Sequence, residues 1–389
     1  MNSPISNSKI IVGIPSYLEA DTIADVTKTV DEGLRKYFPK AAALIINVDN
    51  DSPDGTKKVF LSVKTKTPKR YIATPKGVRG KGHNLRNLFE FFARTKKAER
   101  LMIIDADLYS AEPAWVKKLL FPIAKGFDHS LPVYRRAKYD GSITNHLCYP
   151  VLRGLLGREI RQPIGGEMAF SRRAVENFLR WPWPKNAYKF GVDIFMTTRS
   201  LFSNLKLVET ELGVREHKPS EPELYYMFEE VATTLFEILK VNKTAWAKKI
   251  GPIKKPKIMF RRGRKLKVPE VNIDYSVLTQ TALRELRCHR RDIQKILGWH
   301  SDKLLSKKSG AAAPEIKSAD WAKTVFAFVR AENHDARLRA RALRPLYLSR
   351  FLTFCREVKN KTPQEAERLI QKQAEVFFAK RNSSFTAER

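Results

Sequence analysis

Arg100-Leu101-Met102-Ile103-Ile104-Asp105-Ala106-Asp107-Leu108 is an apolar run that breaks into two carboxylates. Consecutive apolar residues without polar alternation describe a strand buried on both faces, as parallel sheets require. The same grammar repeats on either side. Lys9–Pro15 (KIIVGIP) and Ala43–Asp49 (ALIINVD) read as buried strands, Arg70–Pro75 as a brief one and Leu205–Leu212 as a later one. Between them lie helical patterns. Asp21–Phe38 repeats apolar residues at Ile23, Val26, Val30, Leu34 and Phe38; Asp51–Val63 is a turn and short helix; His83–Arg94 is another helix. Strands alternating with helices over the first 215 or so residues predict an α/β fold, a parallel sheet with both faces covered. Ligands of such sheets bind at the carboxyl ends of the strands. Three strands end there in polar groups: Pro15-Ser16, Asp49-Asn50-Asp51 and Asp105-Ala106-Asp107.

After about Glu221 the pattern changes. Glu223–Trp246 reads as one long helix. Helical periods then cover Tyr275–Leu297, Ala319–Ala331, Arg337–Lys359 and Pro363–Lys380, the last opened by the cap Thr362-Pro363-Gln364-Glu365. The predicted division is an α/β domain over 1–220 and a mainly helical region over 221–389. A basic linker lies at about 240–270. From Lys240 to Lys267 it holds Lys240, Lys243, Lys248, Lys249, Lys254, Lys255, Lys257, Arg261, Arg262, Arg264, Lys265 and Lys267, with no acid among them.

The 389 residues carry 73 Lys plus Arg against 41 Asp plus Glu, a formal charge of +32 that calls for an anionic partner or surface. No apolar run approaches the roughly 18 residues that span a bilayer. The apolar run near the amino terminus is too short for a secretory leader. Cys148, Cys288 and Cys355 are isolated and odd in number, which excludes a disulfide framework or CxxC zinc site and fits a cytoplasmic setting.

Several motifs carry possible chemistry. Asp105 and Asp107, at i and i+2, would point the same way in a strict strand; such a pair suits a hard divalent cation, and a helix cap before Pro113 is the structural alternative. Lys76–Asn84 (KGVRGKGHN) is a Gly-rich basic loop feeding a helix, suited to an anion or to plain flexibility. Asp49–Thr56 caps a helix and offers Asp49 to a base or ribose hydroxyl. Gly165-Gly166-Glu167 allows close backbone approach to a ligand or makes a tight turn. Asp193 sits at a helix start. His217 follows the strand Leu205–Leu212 toward the same sheet edge.

In this order the motifs resemble the nucleotide-sugar-dependent GT-A glycosyltransferases. The set through Gln162-Pro-Ile-Gly-Gly-Glu167, Gly191-Val-Asp193 and His217 is similar to the retaining enzymes that make mannosylglycerate, glucosylglycerate or glucosyl-3-phosphoglycerate. The resemblance covers about Ile10 to Glu230. It implies a Rossmann-like mixed sheet, mostly parallel and flanked by helices, with a C-terminal helical region. It implies Asp107 and His217 as ligands of Mg²⁺ or Mn²⁺. It places Pro15, Glu19, Asp49, Lys81, Gly82, Asp105, Ala106, Gly165 and Gly166 around a GDP- or UDP-linked hexose, with Glu167 and Asp193 as catalytic carboxylates at the donor sugar. Arg136-x₃-Asp140-x₃-Thr144 matches the glycerate pocket of the mannosylglycerate enzymes, where a guanidinium clamps a carboxylate and Asp and Thr read hydroxyls.

The implied reaction is hexosyl transfer to D-glycerate, which makes a compatible solute. The nearest alternative takes 3-phosphoglycerate, since Arg135, Arg136 and Lys138 sit together. A second is an inverting family 2 transferase with a lipid-linked acceptor. A polyanion-binding protein is the remote alternative, because no nucleic-acid-binding motif accompanies the charge. The apolar helices from Ala319 to Phe378 suggest a homodimer interface.

Overall fold

The computed structural model describes residues 7–218, 224–247, 250–261, 268, 270–298, 300–305 and 312–385. The chain divides into two compact units. The first comprises residues 1–135, 164–220 and 256–267; the second comprises 136–163, 221–255 and 268–389. The division is therefore not a single cut near 220. Residues 136–163 follow a strand of the first unit yet belong to the helical one. Within the expected linker, Lys257–Met259 return to the sheet as an edge strand.

The first unit holds one eight-stranded sheet. Its strands are β1 (Ile10–Ser16), β2 (Ala43–Asp49), β3 (Lys69–Ala73), β4 (Arg100–Ile103), β5 (His129–Arg135), β6 (Met168–Ser171), β7 (Leu207–Val214) and β8 (Lys257–Met259), in the order β3-β2-β1-β4-β6-β5-β7-β8. The pairs on the β3 side of β4 are parallel, as are β5 with β7 and β7 with β8. Only β6 runs antiparallel, against both β4 and β5. The sheet is mixed and mostly parallel, a GT-A-like architecture. The wholly parallel sheet that alternation alone suggested fails at β6, because no helix crosses over between β5 and β6 in this unit.

Helices α1 (Ile23–Tyr37), α2 (Thr56–Ser62), α3 (Lys81–Arg94) and α4 (Pro113–Ala124) link the early strands. A core of Ile10, Val12 and Ile14 from β1, Val26 and Val30 from α1, and Trp115 and Leu119 from α4 lies on one face of the sheet. Burying a side chain of this size stabilises by about 1.5–3 kcal/mol, so this layer fixes the strand ends from which the site is built.

The second unit is helical. It contains α5 (Tyr149–Leu156), preceded by a π-turn at Thr144–Cys148. The helices α6 (Arg172–Arg180) and α7 (Val192–Phe202) belong to the sheet unit. The second unit resumes with α8 (Leu224–Val241), α9 (Lys243–Trp246), α10 (Tyr275–Cys288), α11 (Arg290–Leu297), α12 (His300–Leu305), α13 (Ser318–Arg330), α14 (Ala336–Val358) and α15 (Pro363–Phe385). The expected single helix Tyr275–Leu297 is broken at His289, whose dihedrals (−103°, 11°) leave the helical basin. The Thr362–Glu365 capping box forms: Glu365 accepts from the Thr362 backbone N–H at 2.8 Å, and Thr362 Oγ1 accepts from the Glu365 N–H at 3.2 Å. Trp321, Val325, Phe326, Phe354 and Phe377 are buried within this unit, so the apolar faces that suggested a dimer serve its own core. Among the described residues, no helix is long and apolar enough to cross a membrane.

Candidate active site

The carboxyl ends of β1, β2, β4 and β7 bring most of the expected donor-site residues to one edge of the sheet unit. Because β6 is antiparallel, its amino end faces the same way, and Glu167, just before it, joins them.

The centre is a chain of alternating charges. Lys81, the first residue of α3, places its Nζ 2.8 Å from Asp105 Oδ1 and 3.3 Å from Asp193 Oδ2. Arg215, just past β7, reaches Asp105 Oδ2 at 3.3 Å with one terminal nitrogen and Glu167 Oε2 at 3.3 Å with Nε. Tyr134 donates its hydroxyl to Glu167. Three carboxylates thus share two cations. Glu167 is fully buried, and the side chains of Lys81, Arg215, Asp105 and Asp193 are largely so.

Burial and neighbours set the ionisation of each group. Burial favours the neutral acid at Asp105, but Lys81 and Arg215 outweigh it and hold that carboxyl below its usual range. At Asp193 burial dominates; Lys81 offsets it only in part, Asp105 adds repulsion, and the carboxyl is pushed up to about 6. Its Oδ1 is buried with no hydrogen-bond partner. Burial would strip the proton from Lys81, yet Asp105 and Asp193 hold it on more firmly than usual.

Local backbone explains how these groups meet. A Cβ at Gly166 would lie 2.5 Å from Asp105 Oδ2, and its φ is +92°, so only glycine lets this loop close over the carboxylate. A Cβ at Gly82 would lie 1.9 Å from the carbonyl oxygen of Ala187, and Gly82 N–H donates to Lys189 O at 3.2 Å. The start of α3 is therefore pressed against the turn Lys185–Tyr188, which leads into α7 and Asp193. On β7, a register shift opposite Val133 and Tyr134 advances the strand by one residue, so that Tyr134 pairs with Gly213. Such bulges re-aim side chains, and here Tyr134 and Arg215 both reach Glu167.

Asp105 and Asp107 do not act as one pair. β4 ends at Ile103, and the two carboxylates diverge in the loop beyond it. Asp105 is taken by Lys81 and Arg215, whereas Asp107 Oδ2 lies 3.9 Å from His217 Nδ1. Backbone bonds tie the two loops: Tyr109 N–H donates to Glu216 O, and Lys218 N–H to Asp107 O. His217 Nδ1 lies 2.6 Å from Lys218 O, a carbonyl to which it can only donate. Asp107 Oδ1 is buried without a hydrogen-bond partner. One carboxylate oxygen and one imidazole nitrogen fit a divalent cation that takes its remaining ligands from phosphate oxygens and water. Among the described residues, no group of three or more His, Cys, Asp or Glu gathers to make a self-sufficient metal cage.

Other expected residues have different surroundings. Asp49 is buried and accepts from Ser16 Oγ (2.7 Å), Ser52 N (2.8 Å), Ser52 Oγ (2.7 Å) and Tyr71 Oη (2.9 Å). These four bonds fill a carboxylate's acceptor sites and make Asp49 an organiser of the loops. Glu19 accepts from Lys218 Nζ at 2.7 Å and Thr22 Oγ1 at 2.9 Å. Pro15, Ala106 and Gly165 are buried at the loop bases. In the helical unit, Arg136 holds Asp140 Oδ2 at 2.9 Å and Gln162 Oε1 at 3.1 Å, and Thr144 is buried at the start of the π-turn.

Sequence reading left Arg215, Tyr134 and Asn84 unassigned. Arg215 had a signal: it stands two residues before His217 at a strand end, where alternate residues share a face. Tyr134 had none. Asn84 accepts from Asn50 at 2.6 Å and donates to Ser16 O at 3.1 Å, pinning three loops together. A cavity lined by Lys9, Lys96, Lys97, Ala98, Glu99 and Arg172 lies instead at the amino ends of β1 and β4. Its arginine is spent on carbonyls of Ala98 and Thr95.

Residues 11–179 match the glycosyl transferase family 2 model. No curated protein matches the chain. Among solved structures, glucosyl-3-phosphoglycerate synthase from Mycobacterium tuberculosis with Mn²⁺, UDP and glucosyl-3-phosphoglycerate is similar at 25% identity, with 60% of this chain and 81% of that chain covered and a TM-score of 0.49. The same enzyme with Mn²⁺, UDP-glucose and phosphoglyceric acid is similar at 24% identity, 61% and 81% coverage and a TM-score of 0.49. With Mg²⁺ and UDP the values are 25%, 60% and 80%, and 0.48.

Proposed function

We take the chain, which carries a glycosyl transferase family 2 domain over residues 11–179, as a glycosyltransferase, and we propose that it is a metal-dependent retaining one. It moves glucose or mannose from a UDP- or GDP-linked donor to D-glycerate. The observation that carries this reading is the buried alternation Asp193–Lys81–Asp105–Arg215–Glu167 beside Asp107 and His217. It supplies fixed positive charge for a departing diphosphate and fixed negative charge for a sugar that becomes oxocarbenium-like. A bound Mg²⁺ or Mn²⁺ would be held by Asp107 and His217 and would neutralise charge on the diphosphate oxygens.

Each side chain has a task within this scheme. Lys81 stands ready to face the leaving phosphate while keeping Asp105 ionised. Glu167, held by Arg215 and Tyr134, cannot swing. Asp193 is the one carboxylate of the cluster with an unpartnered buried oxygen, and that oxygen is available to donor-sugar hydroxyls or to the developing positive charge. The bond broken is anomeric carbon to phosphate oxygen; the bond formed is anomeric carbon to the acceptor hydroxyl oxygen. The acceptor proton leaves with the nucleoside diphosphate.

For the acceptor, Arg136 with Asp140 and Thr144 supports a carboxylate-bearing hydroxy acid. The three cations that suggested 3-phosphoglycerate are differently engaged. Arg135 pairs with Glu211 at 3.4 Å, and Lys138 donates to backbone oxygens of Val358 and Lys359. Arg136, held by Asp140 and Gln162, is the cation assigned to the acceptor carboxylate, in keeping with free glycerate.

The test is a panel of UDP-, GDP- and ADP-linked glucose and mannose with Mg²⁺ or Mn²⁺, offered D-glycerate or 3-phosphoglycerate and read by mass spectrometry. The expected product is a glycosylglycerate that disappears with chelator and with Asp107→Ala. A phosphorylated product would move the enzyme to 3-phosphoglycerate. No transfer to either would overturn the acceptor assignment and bring forward a lipid-linked one.

A further inference from the structure

The acceptor clamp assigned above lies wholly within the helical unit, and so do the groups that brace it. Arg136 grips Asp140 through one terminal nitrogen and Gln162 through Nε. Asp140 is not held by Arg136 alone. Its backbone carbonyl accepts from Asn145 Nδ2 at 3.0 Å, and the Gly141 carbonyl accepts from the Asn145 N–H at 2.9 Å. Asn145 Oδ1 in turn accepts from Arg161 Nη2 at 3.0 Å. Arg161 precedes Gln162 in the chain, so it steadies both groups that grip Arg136. Arg161 is itself gripped from α15. Its Nε and Nη2 each lie 2.7 Å from an oxygen of Glu367, a two-point guanidinium–carboxylate pair.

A second brace ends on the same helix. Gln373 donates to Asn145 O at 2.9 Å and accepts from Arg350 Nε at 2.8 Å; Arg350 is fixed by Glu357 at 3.0 Å and by Ile316 O at 3.1 Å. Asn145, Gln162, Gln373 and Arg350 are at most 3% exposed, so a bond lost here is not replaced by water. Asn145 stands in the π-turn, directly after Thr144, the third residue assigned to the acceptor. Such turns are rare and often mark functional sites.

The docking of α15 does not depend on these polar groups. At Gly154 of α5 a Cβ would lie 2.7 Å from Phe377 Cβ, so the two helices meet in close apolar contact. Another ion pair between them, Arg153–Glu375 at 3.7 Å, leads through Arg153 to Glu159 instead of to the clamp. Resting on the acceptor reading above, we propose that Glu367 is a positioning residue for the acceptor. Through Arg161 and Asn145 it sets where Asp140 and Arg136 meet a hydroxy acid. Helix α15 thus serves acceptor recognition from outside the family 2 domain.

The test compares full-chain Glu367→Gln and Glu375→Gln with the parent in steady-state transfer, using whichever of D-glycerate and 3-phosphoglycerate the parent accepts. Glu367→Gln keeps the shape of the side chain and removes its charge. It should raise KM for the acid about tenfold, short of the roughly hundredfold that an ångström of displacement can bring. At the same time kcat should stay within about threefold and KM for the sugar nucleotide within about twofold, a split that general loosening of the fold does not produce. Glu367→Asp restores the carboxylate on a shorter stem and should recover part of the loss. Glu375→Gln removes a more exposed ion pair between the same helices and should leave all three constants within about twofold. Asn145→Ala should reproduce the split and add little to Glu367→Gln, because both cut one chain of bonds. Thermal melting of each variant shows whether it is folded. A Glu367→Gln enzyme whose constants match those of Glu375→Gln would overturn this inference alone. So would equal rises in the acceptor and donor KM. A parent that transfers to neither acid would overturn the acceptor reading and this inference with it.

Discussion

Gly82→Ala sets two opposed effects against each other. In the second position of α3, alanine improves helix propensity by at most about 1 kcal/mol. The new Cβ, however, would lie 1.9 Å from Ala187 O and 2.5 Å from the Tyr188 carbonyl carbon, both backbone atoms. Reaching an ordinary contact of 3.4 Å needs a retreat of about 1.5 Å (3.4 − 1.9) by the turn Lys185–Tyr188. That retreat breaks the Gly82 N–H bond to Lys189 O, and overpacking of this kind costs typically 1–3 kcal/mol. The clash wins, and we expect a net loss of about 1–2 kcal/mol, read by urea unfolding followed through tryptophan fluorescence. The functional loss is larger. The turn feeds directly into α7, and Asp193 now sits 3.3 Å from Lys81 Nζ. A shift of 1 Å in such a group can cost roughly a hundredfold in rate. Donor turnover should therefore fall at least about tenfold. Gly251→Ala, where a Cβ meets nothing within 4 Å, is the neutral control. A Gly82→Ala protein as stable as the parent, with turnover within a factor of about two, would refute the idea that α3 and the Asp193 turn are locked together.

Three other outcomes follow from the charge cluster and its neighbours. Lys81→Met leaves Asp105 and Asp193 without their shared ammonium, and should cost about 3 kcal/mol of stability and nearly all donor turnover, checked by melting and by product formation. Asp193, raised from 3.8 to about 6 in the fold, binds its proton more tightly folded than unfolded. The stability linked to it is full below pH 4 and is lost as pH rises from about 4 to about 6, an upper bound of about 3 kcal/mol. Asp193→Asn should therefore be more stable than the parent at pH 7.5, with the advantage gone by pH 4 in parallel melts. If the ionised carboxylate supports transfer, the parent's rate falls as pH drops through 6, and the variant shows no such limb. Asp107→Ala and His217→Ala should each raise the Mn²⁺ concentration needed for half-maximal activity at least about tenfold, measured by metal titration.

Much of this protein was legible as sequence because its signals are local. Apolar runs of the right length gave β1, β2 and β4, and the capping box at Thr362–Glu365 gave the start of α15. The glycine-rich loop before α3 and the acid-ending strand gave the sheet edge where Lys81 and Asp105 stand. The order of motifs then pointed to a sugar-nucleotide transferase. What sequence left undecided is which charge meets which. The spacing of Asp105 and Asp107 suggested one shared task, whereas in the fold Asp105 serves Lys81 and Arg215 and Asp107 faces His217. The reversal of β6, which brings Glu167 to the edge, and the shifted register on β7, which aims Tyr134 and Arg215 at it, left no mark in local composition. Residues 136–163 likewise joined the helices although they follow a sheet strand without interruption. Strand and helix are set by periodicity within a few residues, so the sequence determines them directly. Ion pairs such as Lys81–Asp193, 112 positions apart in the chain, depend on how strand ends converge, and only the packed sheet determines that.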